Sequence, residues 1–178
     1  MMQVFNASKK RYTTLMTHIK RIYAAAGRKL HKAASPLLSK YFNEGHVRSR
    51  VLIINSANEV LLVKSWFSQQ RWSMPGGGVQ RGEELAKGAA REVFEETGLK
   101  ISSDQLKDLG KIRDERLNYT FTVECFMTRA EKAKPKVKRQ HRIEMLEIAW
   151  FPLECLPENI SATVLKALDI VQNEHLIN

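Results

Sequence analysis

The sequence predicts an α/β fold in which a sheet lies between helices, preceded by a helical and strongly basic N-terminal extension. Three observations predict it. Short apolar runs of strand-like character alternate with segments of helical period. The strand candidate beginning at Asn118 places Tyr119, Phe121, Val123, Cys125 and Met127 on one face, and Phe126 breaks the alternation, so both faces are partly covered. The positive charge is also confined: residues 1–50 hold eleven Lys/Arg and one acid, Glu44, whereas the remaining residues hold eighteen of each. The chain divides accordingly into an extension, residues 1–46, and a folded domain, residues 47–178.

The length of 178 residues suits one domain with an appendage, and 43% hydrophobic content supports a proper core. No apolar run approaches the ~18–20 residues of a membrane helix. Cys125 and Cys155 are the only cysteines and form no CxxC pair. They are expected as two buried free thiols in a reducing compartment, which predicts a cytoplasmic protein.

In the extension, Tyr12, Leu15, Ile19, Ile22, Ala26 and Leu30 recur at spacings of three and four, so residues 8–32 read as an amphipathic helix. Ser35-Pro36 breaks it, and Pro36 opens a second short helix through Tyr41. Four readings stand for this arm. It packs on its own domain or on the mate in a homodimer; it binds RNA or another polyanion through its lysines and arginines; it lies on an anionic membrane surface; or it is a targeting peptide. The start lacks the continuous apolar core of a secretory signal.

The domain opens with two predicted strands, Val51–Asn55 and Glu59–Lys64, joined by the turn Ser56-Ala57-Asn58. A polar loop leads to Trp72. A helix follows from about Glu84 to Thr97, with Leu85, Ala89, Val93 and Phe94 as its apolar stripe and Gly88 expected to permit close helix-to-sheet contact. After Ile101 the pattern becomes period two, with Leu109, Lys111 and Arg113 alternating with Gly110 and Ile112. Arg129–Arg142 is a basic, polar stretch read either as a solvated loop or, over Lys132–Arg142, as a contact surface for substrate phosphates or RNA. Ile148–Phe151 is a strand. Asn159 or Ser161 then caps a last helix with Ile160, Val164, Leu165, Leu168 and Val171 apolar.

The chemistry lies between the hairpin and this second half. Gly76, Gly77 and Gly78 allow backbone to approach a ligand without Cβ interference. They lead into a helix whose Glu92, Glu95 and Glu96 stand at i, i+3 and i+4, on one face. Like charges so placed repel, and three hard oxygen donors at one point suit a divalent ion such as magnesium. Gly98 stands where a left-handed residue stops the helix. Arg91 precedes the cluster and is placed to hold a carboxylate in a charge-assisted bond.

Gly77, five residues, Glu83, seven residues, Arg91-Glu92, apolar Val93, one residue, Glu95-Glu96, one residue, Gly98 and apolar Leu99 together resemble the Nudix box, with every fixed position present. The resemblance extends over roughly residues 47–175. It implies the Nudix-type α/β/α sandwich, with a mixed sheet between helices and the first hairpin before the glycine loop. It implies Mg2+-dependent hydrolysis, with Mn2+ as the alternative ion, of a phosphoanhydride in a nucleoside diphosphate linked to another moiety. A Nudix-fold nucleotide- or RNA-binding regulator without turnover is the other reading. By the same resemblance the catalytic set is Glu92, Glu95, Glu96, Arg91 and Glu144. Glu92, Glu95 and Glu96 are the metal ligands and Gly76 adds its backbone carbonyl. Glu144, about six residues before Trp150, reaches the metal from a loop, with Glu147 as the fallback. Arg91 and Glu83 orient the carboxylates and anchor loop to helix, Trp72 either shapes the site or packs in the core, and the general base is Glu92 or Glu144.

Overall fold

Runs of β-branched and aliphatic residues form the centre of the sheet. The computed structural model describes residues 47–65, 71–116, 119–131, 134–135 and 145–177. The predicted extension, most of the Lys132–Arg142 loop and Glu144 lie outside the described residues. Strands β1 (Ser49–Ile54) and β2 (Glu59–Ser65) form the expected hairpin. Its turn is organised by the fully buried Asn55, whose Oδ1 accepts from the N–H groups of Ala57 (2.9 Å) and Glu59 (3.0 Å). Asn58 takes a left-handed φ of 55°, a conformation asparagine tolerates.

β3 (Trp72–Ser73) precedes the glycine loop, and α1 (Leu85–Thr97) follows it. A 3-10 turn at Ser103–Gln105 leads to β4 (Lys107–Arg116), β5 (Tyr119–Arg129), β6 (Met145–Pro152) and α2 (Ala162–Asn173). The sheet order is β3-β2-β1-β5-β4, with β6 also paired to β2. β1 and β5 run parallel from Ser49↔Glu124 to Ile54↔Arg129, and the other pairs are antiparallel, so the sheet is mixed as expected.

Alternation along the central strands splits the core in two. Leu52, Ile54, Val60, Leu62, Val123, Cys125 and Met127 face α2, where Val164, Ala167, Leu168 and Val171 complete one cluster. Val51, Ile53, Leu61 and Phe126 face α1 and pack with Ala89 and Val93. Phe126 thus covers the opposite face from its neighbours, as its break in the pattern predicts. The helices lie on both sides of the sheet.

Several expectations are corrected. β1 begins at Ser49 rather than Val51, so Arg50, counted above with the N-terminal positive charge, is a buried strand residue. Leu109 and Ile112 join the same cluster although period two separates them. A register shift at Asp108–Gly110 brings them into phase, with Gly110 at φ 77° and its N–H donating to Asp108 Oδ1 at 2.7 Å. Leu85 and Leu165 are exposed rather than packed, the first because it starts α1 and the second because Ala167 and Leu168 face the sheet. Cys125 is buried as expected, but Cys155 is exposed because it follows β6 in a surface turn.

Candidate active site

The glycine loop reaches its position by behaving as a short strand. β1 and β2 share the single register pair Ile54↔Val60. Toward the start of β1, the loop takes the vacated edge: Val51 N–H donates to Pro75 O, Ser49 N–H to Gly77 O and Val79 N–H to Val47 O, each at 2.9 Å. Gly76 has φ 137°, and a Cβ there would lie 2.3 Å from the Ser49 carbonyl oxygen, so only glycine fits. The backbone therefore lies flat against β1, facing α1.

Helix α1 supplies the charge. It ends at Gly98, which is left-handed at φ 76° and donates to Phe94 O, as its sequence position predicts. Thr97 Oγ1 donates back to Val93 O at 2.7 Å and accepts from Leu99 N–H at 3.1 Å, sealing the last turn.

Arg91 is the hub. Its Nε and Nη2 form a two-pronged bond to Glu83 (2.9 and 3.0 Å), Nη2 also donates to Gly78 O (2.9 Å), and Nη1 donates to Glu92 Oε1 at 2.7 Å. Glu95 Oε2 stands 3.5 Å from the same Nη1. Glu83 Oε2 accepts in addition from Gln80 N–H at 2.8 Å. The bond to Arg91 holds the Glu83 carboxyl below the usual carboxylate range, and Glu83 in return raises Arg91. Gly88 serves this pair rather than the sheet: a Cβ there would lie 2.9 Å from Glu83 Oε2 and 3.2 Å from Val79. That corrects its expected helix-to-sheet role.

Glu92 lies against the loop backbone. A Cβ on Gly77 would come within 2.3 Å of Glu92 Oε2. Burial pushes the Glu92 carboxyl above its ordinary value, with Arg91 opposing and Glu95 adding to the rise. Glu96 Oε2 accepts from Gly76 N–H at 2.8 Å. The structure thus brings Glu92, Glu95, Glu96, Arg91, Glu83 and Gly76 to one loop–helix junction. Glu147 is elsewhere, paired with Lys64 at 2.9 Å across β2 and β6. Trp72 is 7% exposed, packs edge-to-face on Phe151 at 4.7 Å and carries Lys64 Nζ 4.5 Å above its ring, so its observed role is core packing.

Arg50 is the residue that sequence reasoning missed. Its Nη1 donates to Gly76 O, and its charge acts on Glu92. The one signal was the strand-forming run Val51–Ile54 directly after it, into which Arg50 extends as part of β1.

The donor set fits a hard divalent cation: carboxylate oxygens of Glu92, Glu95 and Glu96 and the carbonyl of Gly76. Four carboxylates (Glu83, Glu92, Glu95, Glu96) stand against two guanidiniums (Arg50, Arg91), a net formal charge of −2 that favours a cation. Among the described residues, however, no three His, Cys, Asp or Glu form a ready-made cage. The oxygens are engaged by Arg91, Arg50 and the Gly76 N–H instead. Among the described residues no helix is long and apolar enough to cross a membrane.

The NUDIX domain family model matches residues 45–169. An oxidized purine nucleoside triphosphate hydrolase of Danio rerio is 29% identical over 110 residues, covering 60% of this chain and 66% of that protein. A diphosphoinositol polyphosphate phosphohydrolase 3-beta of Bos taurus is 54% identical over 43 residues, covering 24% of this chain and 26% of that one. The chain spans from 10% to 66% of the length of the first curated relatives it matches. Among solved structures, a MutT protein from Methanosarcina mazei superposes with a TM-score of 0.60 at 25% identity, covering 73% of this chain and 94% of that one. With its complete box, its mixed sheet between two helices and a family match over most of its length, the chain belongs to the Nudix domain family.

Proposed function

We propose that the chain hydrolyses a phosphoanhydride bond in a nucleoside diphosphate linked to another moiety, with Mg2+ as cofactor and Mn2+ as the alternative. The observation that carries this reading is the convergence of Glu92, Glu95, Glu96 and Gly76 at one loop–helix junction with excess negative charge. The relatives' names support it, since both describe hydrolases of phosphate-rich substrates. Glu92, Glu95, Glu96 and the Gly76 carbonyl would hold the cation, which supplies neutralisation of the diphosphate's charge and a more acidic water.

The protein's own share is positioning. Arg91 binds Glu83, Glu92 and Gly78 at once and so ties the metal-holding face of α1 to the loop. Gly77 keeps a Cβ out of the space between the loop backbone and Glu92, and Gly76 lets the loop lie against β1. Glu92, whose carboxyl is raised by burial, and Glu144 are the two candidate bases for the attacking water. The free thiols Cys125 and Cys155 suit a reducing compartment such as the cytoplasm. Two further curated relatives, an mRNA decapping complex subunit 2 of Schizosaccharomyces pombe (33% identical over 75 residues) and an RNA pyrophosphohydrolase of Wolbachia (34% over 64), support RNA as a partner class for the basic extension or the Lys132–Arg142 loop.

The test is a panel of nucleotides assayed for phosphate or pyrophosphate release with Mg2+ and Mn2+, using the wild-type chain and Glu96→Gln. The expected result is cation-dependent release by the wild type and none by a folded E96Q. Near-wild-type turnover in E96Q would sink the ligand assignment. Cation binding without release across the panel would favour the regulatory, non-hydrolysing reading.

A further inference from the structure

Gly76 is held at both of its polar groups by charged side chains. Its N–H donates to Glu96 Oε2, and its C=O accepts from Arg50 Nη1. Arg50 is 7% exposed, on a strand whose neighbours are all buried. A buried guanidinium needs acceptors to offset its lost hydration, and the Gly76 carbonyl is one. That same oxygen is the backbone donor expected to hold the cation. A guanidinium and a divalent ion on the one carbonyl oxygen would place two positive charges within a few ångströms in a weakly screened setting, so each disfavours the other.

We propose that Arg50 is a positioning residue that competes with the divalent cation for the Gly76 carbonyl, holding the cation-free loop and turning to the anionic substrate once the cation has taken that oxygen. The inference rests on the metal reading above and adds an order to it. Arg50 adds positive charge beside Glu92 and ties the Gly76 carbonyl to β1, alongside the backbone bonds that seat the loop there. A cation held by the Gly76 carbonyl would displace the Arg50 guanidinium and leave it available to phosphate oxygens of the substrate. Its planar fork is suited to such oxygens. The cation therefore binds first and creates a site for the phosphate. By reciprocity, bound substrate strengthens cation binding, because it gives Arg50 a new acceptor.

Competition has a sign that ordinary structural support does not. A residue that merely propped the loop would, on removal, weaken cation binding. Removing a competitor strengthens it. The experiment titrates Mn2+ into the full-length chain, wild type, Arg50→Gln and Arg50→Lys, with binding read by the loss of free-Mn2+ electron paramagnetic resonance signal. Folding is checked by circular dichroism, and melting temperature is measured with and without the ion. R50Q is expected to bind Mn2+ about fivefold tighter or more, to melt lower than wild type without the ion and to regain the difference with it. R50K, charged but without the fork, is expected to fall between the two and serves as the reading should R50Q not fold. Unchanged or weaker Mn2+ binding in the folded variants overturns the proposal while leaving the metal reading intact. No Mn2+ binding by the wild type overturns both.

Discussion

Gly77→Ala separates the site from the fold. Gly77 is not among the glycines with positive φ, so alanine adopts its backbone without strain. The new Cβ would lie 2.3 Å from Glu92 Oε2 and 2.6 Å from its carboxyl carbon, whereas ordinary contact begins at 3.4 Å. The carboxylate must therefore retreat by about 1 Å, and a misplacement of that size costs on the order of 100-fold in rate. The stability cost is smaller. Retreat weakens the charge-assisted bond from Arg91 Nη1 to Glu92, worth about 1.5–3 kcal/mol, but also returns a buried carboxylate toward water. A net of about 1 kcal/mol corresponds to roughly 2–4 °C of melting temperature. Gly78→Ala is the control, because a Cβ there meets nothing within 4 Å. The assay is Mg2+-dependent phosphate release on the best substrate of the panel, alongside thermal melting. G77A is expected to lose about 100-fold in kcat/KM and G78A less than about threefold. Equal losses in the two variants, or a G77A enzyme near wild type, would refute the placement of Glu92.

Two further outcomes are expected. Glu83 has a carboxyl lowered chiefly by its bond to Arg91, so its contribution to stability is full at neutral pH and is lost as pH falls through its depressed value. The melting-temperature gap between wild type and Glu83→Gln should therefore be widest at neutral pH and close below the usual carboxylate range. The burial-raised Glu92 acts in the opposite sense but is common to both proteins. A gap that stays constant into strong acid would contradict the Glu83–Arg91 account. Deleting residues 1–45 is expected to leave hydrolysis of a small nucleotide within about threefold of wild type, and loss of folding on deletion would instead make the extension part of the core or of an obligate dimer.

Local signals were the legible ones. Spacing within one helix determines which side chains share a face, so Glu92, Glu95 and Glu96 and the stop at Gly98 follow from periodicity alone. The two-faced core was readable in Phe126, because an apolar residue out of phase needs a second covered face. What failed depended on distant partners. Arg50 was counted with the basic extension because charge composition does not reveal that a loop 26 positions later brings it an acceptor. Gly88 read as a helix-to-sheet contact because the helical wheel does not show Glu83 folding back over it. The phase of β4 failed at the Asp108–Gly110 irregularity, where one extra residue moves Ile112 into register with Leu109.

The proposed hydrolysis requires that these carboxylates act through a bound divalent cation on a phosphoanhydride. The most direct measurement strips the full-length chain with chelator, follows phosphate or pyrophosphate release from its best panel substrate, and then restores Mg2+ stepwise for wild type and E96Q. The expected result is no release from the stripped wild type, recovery with added Mg2+, and no recovery in E96Q. Release that is unaffected by the chelator, or equal recovery in E96Q, would contradict it.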